Sequence, residues 1–173
     1  MPNGRPDTSE YPERYARYID LVPEDDVCGA LVQQLEHTVA LLGRMPAAQL
    51  DFRYAPDKWT TREVVGHILD TERIFGFRLL TFARGDTVTF PRADEKLYVG
   101  NAAFGRYPLQ EWLDEFSLVR RSNVTLVRHL PEEAWGRIGT LAIGTVSVRA
   151  MAYLMVGHER HHLRIIQDKY LAA

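Results

Sequence analysis

The sequence holds one cysteine, Cys28, no excess of basic charge, and no apolar run that approaches a membrane span. A lone cysteine excludes an internal disulfide framework and fits a reducing cytosol. The apolar stretches fall far short of the ~20 residues needed to cross a bilayer. The N-terminal stretch MPNGRPDTSEYPERYARYID is polar and lacks the apolar core of a signal peptide. These features lead us to expect a cytoplasmic protein with no membrane partner. Net charge is −2 with the histidines neutral. A protein that tracks phosphates normally carries a basic excess, so nucleic-acid binding is not expected. No tract is low in complexity, and no repeat recurs at a fixed period.

What is present suits one soluble domain spanning residues 1–173. Apolar residues make up 46% of the 173 positions and charged residues 25%, a globular balance with enough chain to bury a core. Residues 1–25 contain Pro2, Pro6, Pro12 and Pro23. They read as an extended arm with a short helical turn near Arg14 to Tyr18. Helical spacing of Leu31, Leu35, Thr38 and Leu42 predicts a first helix over about 26–44, closed by Pro46. A second helix is predicted from Thr60 or Thr61 to Gly85. Threonine caps the exposed amides, and Glu63 suits the positive end of the dipole. Val64, His67, Thr71, Ile74 and Arg78 line one of its faces.

Residues 86–107 carry Asp86, Pro91, Asp94, Gly100, Asn101 and Gly105 and read as a long loop. Such a segment serves as a lid, as a binding loop, or as a crossover between helices that are not neighbours. A third helix opens at Pro108 and ends at Pro131, with Trp112, Phe116, Val119, Asn123 and Leu126 inward. After a connector with Trp135, Gly139 and Gly144, a last helix runs from about Ser147 to Leu171. Four amphipathic helices without strand alternation predict an all-α four-helix bundle with a long crossover connection.

The histidines carry the chemistry. His158 and His162 are four residues apart on a predicted helix, so both imidazoles face the same way. Zinc accepts imidazole nitrogen at about 2.0–2.1 Å. The residues HERHH also match H-E-x-x-H, the zinc-protease helix motif with Glu159 as base. Only eleven residues follow His162, and no strand is predicted to align a peptide, which disfavours that reading. A third ligand is then sought upstream. His67 sits on the apolar stripe between Val64 and Ile74, whereas His37 adjoins Glu36 and His129 stands at a helix end beside Arg128. His161 competes with His162 but is rotated by roughly 60° from His158. Asp70, one turn past His67, and Glu159 are candidates for orienting a ligand or moving a proton; each also reads as an ordinary charge, Asp70 as a partner for Arg73. Cys28 has no histidine beside it and reads as an incidental or buried thiol. Trp59, Trp112 and Trp135 read as anchors, any one of which can wall a pocket.

Two stretches together resemble the DinB/YfiT-like family of metal-binding four-helix proteins. YAPDKWTTREVVGHILDTERIFGFRLLTFARGD, residues 54–86, resembles its second-helix signature. GHERHHLRIIQDKY, residues 157–170, resembles its last-helix signature. The resemblance covers most of the chain. It implies a bundle with a long crossover and metal ligands at His67, His158 and His162, the same three that the spacing favours. The family label comes from a DNA-damage-inducible gene and implies no action on nucleic acid. The better-understood relatives bind a low-molecular-weight thiol at a metal and act as thiol S-transferases or thiol-dependent isomerases.

A site of three neutral histidines leaves a coordination position open. Such an ion can acidify a thiol or activate water. The leading expectation is therefore a metal-dependent thiol S-transferase whose partners are a small-molecule thiol and an electrophile. Metal-dependent hydrolysis, with Asp70 or Glu159 as base, and a purely structural ion are the alternatives. Arg78, near the His67 face, is a candidate thiol anchor, although both it and Arg84 also read as solvated charge. Imidazole suits zinc, nickel, copper and iron alike. Zinc is the expected cellular ion, and nickel an ion acquired in purification. A bundle of this size is also compatible with a homodimer.

Overall fold

The computed structural model describes residues 4–171. Its frame is four long helices: α2 (Val27–Leu42), α4 (Thr61–Ala83), α6 (Leu109–Arg128) and α7 (Val148–Ile165). Shorter helices α1 (Ala16–Ile19), α3 (Ala47–Leu50) and α5 (Glu95–Ala102) occupy the connections. The sequence accounts for where the long helices begin. The Thr60 hydroxyl accepts from the Glu63 amide, and the Glu63 carboxylate accepts from the Thr60 amide at 2.7 Å, a reciprocal cap that satisfies two orphan donors. Asp26 caps α2 through the Cys28 amide, and Ser147 caps α7 through the Ala150 amide at 2.9 Å. α7 ends in a π-helical turn, Ile166–Leu171.

α7 is the central element. Nearly every residue from Val148 to Glu159 is buried, as expected of a helix surrounded by others. It packs on α2, α4 and α1, while α6 packs on α2 and α4. The helices therefore cycle in space as α2, α6, α4, α7. Chain order then requires the diagonal steps to be α2 to α4 and α6 to α7.

This arrangement corrects the expectation for residues 86–107. That segment joins α4 to α6, which are neighbours, so it is not the crossing connection. Its length goes into structure instead. It contains α5, a 3-10 turn at Phe104–Arg106 and strand β1 (Thr89–Phe90). Phe104 pins it against Gly66 of α4, where a Cβ would lie 2.3 Å from the ring.

A small sheet is present that the sequence reading did not anticipate. Strands β2 (Ile138–Leu141) and β3 (Gly144–Ser147) pair antiparallel, with Ile138 opposite Ser147, and β1 joins β2 in parallel. Strands of two to four residues carry too few alternations to stand out in a sequence.

The N-terminal arm has the helical turn expected near Arg14 to Tyr18, and beyond it is more structured than an extended segment. It forms 3-10 turns at Thr8–Glu10 and Glu13–Tyr15 and then α1, with Tyr11, Ile19 and Val22 buried. Its seat on α7 depends on Gly157. A Cβ there would meet the Tyr18 carbonyl oxygen at 2.1 Å, so only glycine admits this backbone approach.

A buried ion network ties the four long helices together. The Arg120 guanidinium of α6 donates from Nε and Nη2 to the two carboxylate oxygens of Glu72 on α4, both at 2.8 Å. Its Nη2 also donates to Glu159 on α7 at 2.7 Å, and Nη1 to the Leu31 carbonyl on α2 at 3.3 Å. Asn123 adds a donor to Glu72 at 2.8 Å, and the Thr38 hydroxyl donates to Glu159. Arg120 is 0% exposed, so its charge survives burial only because two carboxylates surround it.

Candidate metal centre

α4 and α7 pack side by side, and their contact brings three imidazoles together. His67 extends from α4. His158 and His162, one turn apart, extend from α7. The Nε2 atom of His158 lies 3.2 Å from that of His67 and 3.2 Å from that of His162. Among the described residues this is the one group of three or more histidine, cysteine or acidic side chains close enough to hold an ion.

The donor chemistry fits a cation. A neutral imidazole nitrogen either donates or accepts, so Nε2 of His158 cannot be satisfied by protons alone while facing two further ring nitrogens in the same way. An ion about 2.05 Å from each nitrogen in a tetrahedral set separates them by about 3.3 Å, which matches the observed spacing. The protonation states agree. Burial lowers His67, and it holds His158 and His162 well below the ordinary imidazole value of 6.5, with the neighbouring histidines adding to the shift. The rings are therefore neutral, as ligands must be.

Aromatic rings enclose the cluster. Trp59 packs on His67 with ring centroids 5.0 Å apart. Tyr18 and Phe75 present edges to His158 at 5.4 and 5.6 Å. His161 stands outside the cluster, its ring against Tyr18 at 5.2 Å. His37 and His129 are exposed elsewhere. Cys28 is half-buried on α2, and burial pushes its thiol up, away from nucleophilic character.

A cavity opens beside His67 and His158. Its walls come from the arm and α1, from α4, from Pro91, Arg92, Ala93, Glu95 and Tyr98, and from Leu141–Ile143 of the small sheet. Asp70, Ile74 and Arg78 line it along α4. Asp70 is half-buried and pairs with Arg73 at 3.4 Å, and burial raises its carboxyl.

Two of the residues singled out in the sequence behave differently from their expected roles. Glu159 is neither solvated nor beside the imidazoles. The 100° turn from His158 directs it to a different face of α7, where Arg120 and Thr38 hold it and burial raises its carboxyl. It is an element of the ion network and does not reach the imidazole cluster to move a proton there. Arg78 is buried and not a solvated charge: its Nη2 donates to the Pro91 carbonyl at 2.8 Å, and its guanidinium lies 5.5 Å from the Phe90 ring centroid. Arg84 is exposed.

Sequence reasoning did not identify Tyr15, Tyr18 or the β2–β3 turn as cavity walls. Their contacts span too much of the chain for a local pattern to reveal them. No helix among the described residues is long and apolar enough to cross a membrane.

No curated protein matches the sequence. Among solved structures, the chain is similar to YfiT from Bacillus subtilis, described as a probable metal-dependent hydrolase with an unusual four-helix bundle topology. The TM-score is 0.72 at 20% identity, covering 96% of this chain and 91% of that one. A likeness at that identity establishes the bundle fold. The family model of the DinB superfamily matches residues 30–166, which include all three clustered histidines, and the chain belongs to that superfamily.

Proposed function

We propose that this protein is a metal-dependent enzyme in which His67, His158 and His162 hold one divalent ion, zinc in the cell, and in which a low-molecular-weight thiol is transferred to an electrophile. The observation that carries the reading is the set of three converging Nε2 atoms with a cavity beside them and no fourth protein ligand among the described residues. A structural ion is normally closed by four ligands, whereas a reactive one keeps a position open.

A bound ion supplies Lewis acidity, which lowers the pKa of a thiol or water brought to it. The chain's own residues do the rest. Trp59, Tyr18 and Phe75 exclude bulk water and fix the imidazole planes. Asp70, with a carboxyl raised by burial, accepts the proton released when the thiol becomes a thiolate. The sulfur then bonds to the electrophilic carbon, and the departing group leaves with the bond's electron pair.

Hydrolysis is the second reading, favoured by the description of YfiT and by the same Asp70 acting on water. One experiment separates them. Tag-free protein, loaded with zinc or nickel, is assayed for loss of small thiols in the presence of an alkylating electrophile, and in parallel for cleavage of ester and amide substrates. Thiol consumption that chelator abolishes and metal restores is the expected result. Metal-dependent cleavage without thiol consumption overturns transfer in favour of hydrolysis.

A further inference from the structure

The cavity beside the histidines carries more cationic than acidic side chains, with Arg14, Arg17, Arg78 and Arg92 lining it against Asp70 and Glu95. At the histidine end Asp70 is one turn from His67 on α4, and Arg17 stacks at 4.6 Å on the ring of Tyr18, which packs on His158. The other end gathers three arginines around Tyr15. Arg78, about three turns past His67 on α4, shares the cavity wall with Tyr15, with the neighbouring Arg14, and with Arg92, which follows the Pro91 that Arg78 bonds; their charges oppose the rise that burial imposes on the Tyr15 phenol.

Arg78 is the buried member, 8% exposed. Among the described residues neither it nor Arg14 or Arg92 forms an ion pair. The one hydrogen bond of the Arg78 guanidinium goes to the Pro91 carbonyl, so most of its donor fork remains available to the cavity. A guanidinium held largely out of bulk water without a counter-charge is unfavourable. An oxyanion bound in the cavity removes that penalty and matches the planar fork.

We propose that the protein binds an elongated small molecule with an oxyanion at one end, held by Arg78 with Arg14 and Arg92, and its reactive group at the histidines. The spacing sets the length. Arg78 follows His67 by eleven residues on α4, about 16 Å between α-carbons at 1.5 Å per residue. The Arg78 side chain leans back toward the N-terminus of α4 and shortens the span. A compact anion such as acetate cannot reach both ends. Arg14 comes from the arm, outside the residues 30–166 that match the superfamily.

The inference rests on the metal reading above only for what sits at the histidine end. The probes are suberic acid monohydroxamate and its ω-carboxamide, which share a metal-chelating head and differ only in the charge of the tail. Binding is measured by calorimetry to metal-loaded and metal-free protein. The acid is expected to bind wild-type protein at least tenfold more tightly than the amide. Arg78→Lys, which keeps a charge in the core but loses the fork, reduces that preference severalfold. The exposed double variant Arg14→Gln/Arg92→Gln weakens the acid at least threefold and leaves the amide unchanged. A merely structural role for these arginines would move both probes together. Equal binding of acid and amide by wild-type protein, or binding of neither, overturns the proposal. Failure of the metal reading has a different signature: the acid keeps its advantage, but loading metal tightens neither probe.

Discussion

The Nε2 atoms of His67 and His158 lie 3.2 Å apart, although 91 positions separate the two residues. Two buried, neutral imidazoles have little reason to converge on each other and on His162 unless a cation joins them. Tag-free protein is therefore expected to bind about one equivalent of zinc, read by elemental analysis. At free metal 100-fold above Kd, binding should stabilise the fold by about 2.7 kcal/mol, and chelator should reverse the gain. His67→Ala should abolish the metal-dependent shift in melting temperature. His161→Ala, whose ring packs on Tyr18 outside the cluster, should leave the shift intact.

Acid sensitivity follows from the same burial. The three imidazoles sit below 6.5 in the folded protein, mainly because burial disfavours their charged form. Below about pH 6.5 the unfolded chain binds protons that the folded metal-free protein refuses. Stability from these groups is thus complete above that pH and is lost as pH falls through it. Each imidazole protonated only in the unfolded chain contributes a slope of about 1.4 kcal/mol per pH unit. Asp70 and Glu159, raised by burial, act with the opposite sign. The measurement is therefore a difference. Urea denaturation of metal-free protein between pH 7.5 and 5 should show a steeper loss for wild type than for His162→Gln.

Asp70 and Glu159 were equivalent candidates for proton transfer in the sequence, and their surroundings now separate them. Asp70 lines the cavity, whereas Glu159 faces Arg120 and Thr38. Asp70→Asn should reduce turnover by about 100-fold or more at unchanged metal content, the usual range for loss of a general base. Glu159→Gln should cost about 1–3 kcal/mol of stability while turnover per folded molecule stays within a few-fold of wild type. Loss of turnover in the second variant alone would reverse the assignment.

The ion network carries a stability prediction of its own. Arg120 serves two carboxylates from a position with no exposure. Arg120→Met leaves Glu72 and Glu159 buried without a counter-charge and should cost about 3–5 kcal/mol in urea denaturation at neutral pH. A loss below about 1 kcal/mol would show that the burial of these carboxylates does not depend on Arg120.

Much of the site was legible because helices repeat. The four-residue spacing of His158 and His162, the apolar stripe that contains His67, and the caps Thr60 and Ser147 are local patterns with local causes. The rest depends on contacts between distant segments. Arg120 reads as an ordinary surface charge until Glu72 and Glu159, 48 and 39 positions away, are seen around it. Arg78 reads the same way until Phe90 and Pro91 close over it. Residues 86–107 look like a linker because α5 is short and β1 pairs with a strand some fifty residues later. The arm reads as loose because its attachment to α7 is made by distant partners: Arg160 pairs with Glu24, the Tyr153 hydroxyl donates to the Glu24 carbonyl, and Gly157 admits the Tyr18 backbone.

That glycine provides a test of the arm. At Gly157 an added Cβ would lie 2.1 Å from the Tyr18 carbonyl oxygen and 2.6 Å from its carbon. Backbone cannot rotate aside as a flexible side chain can, so Gly157→Ala must push α1 away from α7. Overpacking of this kind costs about 1–3 kcal/mol. Alanine also favours the helix at this position by about 1 kcal/mol, which offsets part of the loss. The larger consequence falls on the cavity. Tyr18 loses its edge contact with His158, and Tyr15 and Arg14 move with the arm. Binding of the carboxylate probe should weaken severalfold, while metal stoichiometry, set by α4 and α7 alone, stays at one. Calorimetry and elemental analysis on the same preparation check both halves. Unchanged probe affinity would show that the arm is packing material and not part of the binding wall.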